Sequence, residues 1–332
     1  MNITLKKLYT NGDLNPFDIY SSFKDEKEVI FLDSSSKNKK LGPYSFIGLN
    51  PFITIKGNYQ SYTINGELKN DGVDIFTALR EIINEYSCTN TTGIPFIGGC
   101  IGYFSYDFGL GLDHIKHNPK EGNTLPDYYF NFYDNLIIFD NHTGIKYISA
   151  CGILQPAEAS IKNIEDKIIN SSKVPCRDIL TREVNLQSNF TKEAYIKTVT
   201  KVKNYIKSGD IYIANLTQRL TSETIKSSYD IYRDLRHINP APFSAFMKLD
   251  GFDIISSSPE RFLKIEDGRV ETRPIKGTRP RGKTPEEDEK NKQELLHSEK
   301  DKAELLMIVD LQRNDLSKVC KPHSIKVLIF LN

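Results

Sequence analysis

The sequence predicts an α+β fold with largely antiparallel sheets, and three observations carry that expectation. Short aromatic and β-branched runs dominate the first half, separated by Gly, Asn, Asp and Pro. Helical periodicity is confined to a few well-bounded stretches. The two kinds of element mix without the regular βαβ alternation that a doubly wound parallel sheet requires.

Taken in chain order, Glu28–Leu32, Phe52–Ile55, Tyr59–Ile64 and Leu136–Phe139 read as strands. Asp74–Tyr86 places Ile75, Leu79, Ile82 and Ile83 at helical spacing. Gly98-Gly99-Cys100-Ile101-Gly102-Tyr103 lacks the Lys-Ser/Thr of a phosphate loop and the Rossmann glycine spacing, so it reads as close backbone packing between strands. Residues 156–188 are polar and turn-prone after a helix-like stretch around Ala157–Ile169, and they connect an N-terminal half (1–155) to a C-terminal half (189–332).

Thr191 is an N-cap ahead of Tyr195, Val199, Val202 and Ile206 on one face, with Gly209 as the stop. Ile211–Leu220, Asp253–Ser257 and Arg261–Ile265 are expected strands, the last two separated by Ser258-Pro259-Glu260. Thr284-Pro285-Glu286-Glu287 combines a cap, a first-turn Pro and acidic residues, a strong helix start. A further helix opens near Ser298. Its run Leu305-Leu306-Met307-Ile308-Val309 covers every side, which predicts burial all round.

The 332 residues allow one large domain or two ordinary ones, and a 39% apolar content supports a substantial core. Lys plus Arg number 44 against 43 Asp plus Glu, so no global field draws in nucleic acid or an anionic membrane. No run approaches bilayer length and the N-terminus has no secretory apolar stretch, so a cytoplasmic protein is expected. The five cysteines are dispersed, without C-x-x-C spacing, and read as free thiols.

Chemistry concentrates in Glu271–Gly282. Pro274 fixes the backbone ahead of Lys276 and Gly277 lets the chain pass close to a neighbour. By itself this is most often a solvated basic loop; a lysine pinned there becomes a nucleophile if desolvation lowers its proton affinity. Glu260 is either an exposed turn carboxylate or a general acid among apolar neighbours. Glu304, at the head of the apolar helical run, is either a macrodipole-favoured surface glutamate or a ligand to a hard cation such as Mg²⁺.

Several ordered segments together resemble the chorismate-utilising family that includes anthranilate and aminodeoxychorismate synthase components I. They are Phe31-Leu-Asp-Ser34, Tyr44–Gly48, Pro95–Asp107, Ser208–Tyr212, Asn215–Arg219, Asn239–Phe243, Ser258–Phe262, Arg273–Thr278, Ser298–Asp301 and Met307–Asp310 through Arg313-Asn-Asp315. The likeness spans the chain to about Val327 and overrides the surface-loop alternative. It implies two orthogonally packed, largely antiparallel sheets flanked by helices, with 189–332 as the chorismate-binding region.

Within the family, Pro274-Ile-Lys-Gly-Thr278 is similar to the aminodeoxychorismate branch, because the anthranilate branch has alanine where this chain has Lys276. The resemblance implies that Lys276 attacks C2 of chorismate as the 4-hydroxyl leaves, that Glu260 is the general acid, and that Gly277 and Thr278 line the pocket. It implies Glu304 as a Mg²⁺ ligand, and a glutamine amidotransferase subunit that supplies ammonia. The product is 4-amino-4-deoxychorismate, on the way to p-aminobenzoate and folate. Asp33, Ser34, Pro242 and Phe243 resemble a tryptophan pocket.

Family members continue beyond the likeness, and the apolar end Ser324–Asn332 reads as a truncation that leaves the fold incomplete at the C-terminus and activity low. The alternatives are anthranilate synthase component I and a non-catalytic remnant with binding capacity alone. Isochorismate and salicylate synthases are a distant third, because they place a lysine where this chain has Ile213.

Overall fold

The computed structural model describes residues 2–9, 14–35, 41–69, 72–112, 125–175 and 184–328. Cys176, expected as a free thiol, lies outside them, as does part of the 156–188 connection. The chain divides into two compact units, one of residues 1–174 with 236–332 and one of 175–235.

The first unit opens with β1 (Thr4–Leu8), α1 (Pro16–Phe23), β2 (Ile30–Asp33), β3 (Tyr44–Gly57), β4 (Tyr62–Ile64) and β5 (Glu67–Lys69). It continues through α2 (Ile75–Glu85), β6 (Gly99–Phe104), α3 (Tyr106–Leu112), β7 (Tyr128–Asp140), β8 (Lys146–Ala150) and α4 (Ala157–Ile169). The expected strand and helix positions hold in this stretch, and Asp74 caps α2 by accepting from the backbone N–H groups of Phe76 and Thr77.

The second unit holds β9 (Gln187–Ser188), α5 (Lys192–Ser208), β10 (Leu220–Thr221) and the start of α6 (Ser228–Ile238). Thr191 caps α5 and Gly209 ends it, as their spacing predicts. The expected strand over Ile211–Leu220 shrinks to Leu220 and Thr221. Their partner β9 is two residues long, so the ladder has nothing further to pair with among the described residues.

The chain then returns to the first unit with β11 (Phe243–Leu249), β12 (Phe252–Ser258), β13 (Arg261–Glu266), β14 (Arg269–Arg273), α7 (Pro285–His297) and α8 (Glu299–Ser317). β11 pairs with β2 across more than 200 residues of sequence and completes a ten-stranded antiparallel sheet in the order β1-β8-β7-β3-β2-β11-β12. β6 joins it along β7, and β4 and β5 extend it from β3. β13 and β14 form a separate two-stranded ribbon. The α+β antiparallel class read from the sequence is the class observed.

β7 is the spine of the sheet. Nearly every residue on it is buried, odd and even positions alike, so both faces are covered. One face packs Tyr129, Tyr133 and Ile138 against Ile97, Met247 and Leu249. The other packs Tyr128 and Phe132 against Leu79, Ile82 and Phe108 of α2 and α3. Gly102 on β6 is required by this closeness: a Cβ there would overlap the carbonyl oxygen of Tyr129.

A buried polar knot sits within the sheet. Glu28, 6% exposed, accepts hydrogen bonds from the Tyr129 hydroxyl (3.0 Å) and the Asn131 amide (2.9 Å). The Tyr133 hydroxyl donates to the Glu28 carbonyl at 2.7 Å. Burial, with the Glu28 charge nearby, pushes both tyrosine hydroxyls far up.

After Leu249 the character changes, because none of the described residues that follow is buried. The expected enclosure of α8 is therefore corrected: no residue of it is buried, and Leu306 is 48% exposed. Among the described residues α8 is flanked by α7 and the 274–282 loop, which cover only part of its surface. Its apolar run follows helix propensity, while its burial depends on neighbours these residues do not provide.

Candidate active site

The residues singled out at 260, 276–278 and 304 belong to three adjoining pieces of the first unit. Glu260 lies in the two-residue link between β12 and β13 and is exposed. No apolar enclosure surrounds it. Its Oε1 instead accepts from the backbone N–H of Ile275 at 3.2 Å, which ties the strand junction to the residue before Lys276.

Lys276 itself is half-buried. Gly277 after it has φ +74°, the left-handed region where a side chain is strained. A Cβ there would also stand 2.8 Å from Leu295 Cδ1 and 3.0 Å from Asp301 Cβ. Glycine is thus needed twice over, once for conformation and once for the approach to α7 and α8. Thr278 is exposed, and its carbonyl accepts from Arg279 Nη1.

Beyond Thr278 the loop is fastened to the helices by charge. Arg279 donates through Nε to Glu294 of α7 at 2.8 Å and through Nη2 to Asp301 of α8 at 3.1 Å. Arg281 holds Asp288 with two hydrogen bonds, at 2.7 and 2.6 Å, and the Gly282 N–H donates to the same carboxylate. The Arg281 hydrogen bonds, then the Gly282 amide, pull the Asp288 carboxyl down to about 2. Ser298 and then Arg279 hold Asp301 below the usual carboxylate range. Arg273 pairs with Glu271, which Arg261 also holds.

Each arginine of the segment thus has a carboxylate. Lys276 is different: among the described residues its amine enters no ion pair and no hydrogen bond. Lysine reaches solvent-borne groups as a mobile point charge, and a free amine here is available to a substrate.

Glu304 is half-buried on α8, one turn from Asp301 on the same helix face. It too enters no ion pair among the described residues. No group of three His, Cys, Asp or Glu side chains suited to a metal occurs among the described residues. Mg²⁺ takes near-octahedral oxygen coordination, often one or two carboxylates with waters and substrate oxygens. Glu304 is the carboxylate on α8 that would hold it.

Asp33, Ser34, Pro242 and Phe243 come together where β2 meets β11. Ser34 Oγ donates to the carbonyls of Tyr44 (2.8 Å) and Pro242 (3.0 Å). Asp33, 2% exposed, pairs with Arg236 at 2.6 Å, and that guanidinium lies 5.1 Å from the Phe17 ring centroid. Arg261, next to Glu260, stacks over Phe243 at 5.3 Å and donates to the Leu41 carbonyl. The four residues are neighbours.

Sequence reasoning did not single out Arg279, Asp301, Asp288 or Arg261 for a role. The available signal was spacing: arginines three and five residues after Lys276, followed by two helices rich in acids. Of the described histidines, His297 hydrogen-bonds within α7, to the Gln293 carbonyl.

A model of chorismate binding enzymes matches residues 27–332. The chain is 36% identical to anthranilate synthase component 1 of Acetivibrio thermocellus, across 94% of this chain and 67% of that protein. It is 33% identical to aminodeoxychorismate synthase component 1 of Bacillus subtilis (strain 168), across 93% of this chain and 66% of that protein. A crystal structure of anthranilate synthase component I from Streptococcus pneumoniae TIGR4 superposes with a TM-score of 0.71 at 26% identity, covering 83% of this chain and 62% of that one. The chain therefore spans about two thirds of the length of these relatives. No helix among the described residues is long and apolar enough to cross a membrane.

Proposed function

Because the chain belongs to the chorismate binding enzyme family, we propose that it is the chorismate-handling part of an aminodeoxychorismate synthase component I. The observation that carries this choice is Lys276, a half-buried residue whose amine has no ion pair or hydrogen bond among the described residues, beside a glycine that permits a close approach. In this chemistry the neutral amine forms a bond to C2 of chorismate, the double bond shifts, and the 4-hydroxyl leaves as water with a proton from Glu260. Ammonia then adds at C4, the double bond shifts back, and the lysine amine leaves. Glu260 accepts from the Ile275 amide, a hydrogen bond that supports its acting on the same substrate as Lys276.

Ammonia comes from a glutamine amidotransferase subunit, as the "component 1" names of the relatives suggest. Mg²⁺ bound through Glu304 would neutralise a substrate carboxylate. Gly277 and Thr278 line the pocket, and Asp33, Ser34, Pro242 and Phe243 form a separate pocket for an aromatic amino acid.

A second function, anthranilate synthase component I, is favoured by the names of most of the similar proteins. In that chemistry ammonia adds at C2 without a protein nucleophile, and Lys276 has no role. Supplying this chain with chorismate and ammonium and locating the new amine by mass spectrometry and NMR separates the two. An amine at C4, lost on Lys276→Ala, supports the first. Anthranilate as the product, or an amine at C2 that survives Lys276→Ala, overturns it.

A further inference from the structure

We infer that Arg279 is a positioning residue for Lys276, a clamp that fixes the lysine loop at the corner between α7 and α8. The inference rests on Lys276 being the reactive amine. It adds the device by which this chain holds that amine in place.

The loop has no buried residue to anchor it, so packing cannot fix its position. Polar fastenings do so on both sides of Lys276. Upstream, Glu260 takes the Ile275 N–H. Downstream, the Arg279 guanidinium spans two helices at once, to Glu294 near the end of α7 and to Asp301 in the first turn of α8. The planar guanidinium donates in two fixed directions, which suits a three-way junction better than a lysine would.

Gly277 lies between Lys276 and the clamp, pressed toward Leu295, which follows the acid partner Glu294, and toward the other acid partner, Asp301. Arg281–Asp288 is a second fastening, but it sits five residues beyond Lys276 and binds α7 alone. Among the described residues, Arg279 alone ties the lysine loop by a hydrogen bond to the helix that also carries Glu304. Losing it frees Lys276 from the α8 face without removing any group that reacts.

The test uses the full 332-residue chain with Arg279→Gln, Arg279→Lys, Asp301→Asn and Arg281→Gln. Amide hydrogen exchange over 275–280 is followed by mass spectrometry, together with trace acetylation of Lys276 measured against Lys283. In Arg279→Gln and in Asp301→Asn, exchange of the loop should rise roughly tenfold or more, as expected for loss of a charge-assisted hydrogen bond. The Lys276-to-Lys283 acetylation ratio should shift toward one, and the thermal midpoint should stay within the wild-type range. Arg279→Lys should recover part of both effects, and Arg281→Gln should leave the Lys276 ratio unchanged.

Unchanged loop exchange and an unchanged ratio in Arg279→Gln would overturn the clamp, as would an equal effect from Arg281→Gln. A fall in thermal midpoint with faster exchange throughout the chain would show a structural role and overturn it as well. Where the chain turns over chorismate, kcat should drop in Arg279→Gln with KM little moved; full kcat with a released loop would overturn the positioning role. The Lys276→Ala product comparison decides the chemistry separately, since neither the exchange nor the acetylation measurement requires turnover.

Discussion

The ten-stranded sheet, which ends with β12, and the segment after Ser258 are held together by different physics. In the sheet, β7 buries residue after residue on both faces, and its Tyr129, Asn131 and Tyr133 hydrogen-bond around the buried Glu28. In the segment from 259 to 328 no described residue is buried, and beyond the β13–β14 ribbon ion pairs and capping bonds hold the loop and helices. The difference teaches that the residues proposed for chemistry stand on the looser region. Their geometry depends on a few charged contacts, and individually such contacts at a surface contribute little.

Phe132→Ala should show the largest effect. The side chain is 1% exposed between β7 and the helices, and its removal should destabilise the protein by about 3–5 kcal/mol in chemical denaturation. Leu306→Ala on α8 should change stability by no more than about 0.5 kcal/mol. Similar losses at both positions would erase the contrast.

Tyr133→Phe should come next. It keeps the ring and deletes a hydroxyl that serves the Glu28 carbonyl, so a loss of roughly 1–3 kcal/mol is expected, with the fold retained by circular dichroism. No loss would mean that the polar knot does not contribute.

Acid should act first on the loose region. The folded Asp288 carboxyl lies at about 2, below its ordinary value of 3.8. A depressed folded value favours the fastened state above about pH 3.8, and that contribution disappears as pH falls toward 2. Amide protection over 280–288, corrected for the intrinsic pH dependence of exchange, should therefore fall between about pH 4 and 2 in wild type, and fall less across that window in Asp288→Asn. An identical acid response in the two proteins would break the link to Asp288.

The sheet was legible because its signals are local. Aromatic runs, the Asp74 and Thr191 caps and the Gly98–Tyr103 segment each carry their cause within a few residues. The Lys276 loop was legible as a pinned lysine, and Gly277 as a point of close approach. What the loop approaches was not, because Asp301 and Glu294 lie more than a dozen residues away and meet Arg279 only when two helices turn a corner. The apolar run 305–309 misled for a related reason. Composition says which residues prefer to be covered, whereas coverage belongs to whatever packs against them. Likewise Ile211–Leu220 has strand-like residues, yet a strand needs a partner of matching length.

The most direct measurement incubates this chain with chorismate in the absence of ammonia, then examines the peptide that carries Lys276 by mass spectrometry. The account expects that peptide alone to gain the mass of chorismate less one water, and the gain to vanish in Lys276→Ala and on later addition of ammonium. An unmodified Lys276 peptide under conditions where product forms with ammonium, or the same adduct in Lys276→Ala, would contradict it.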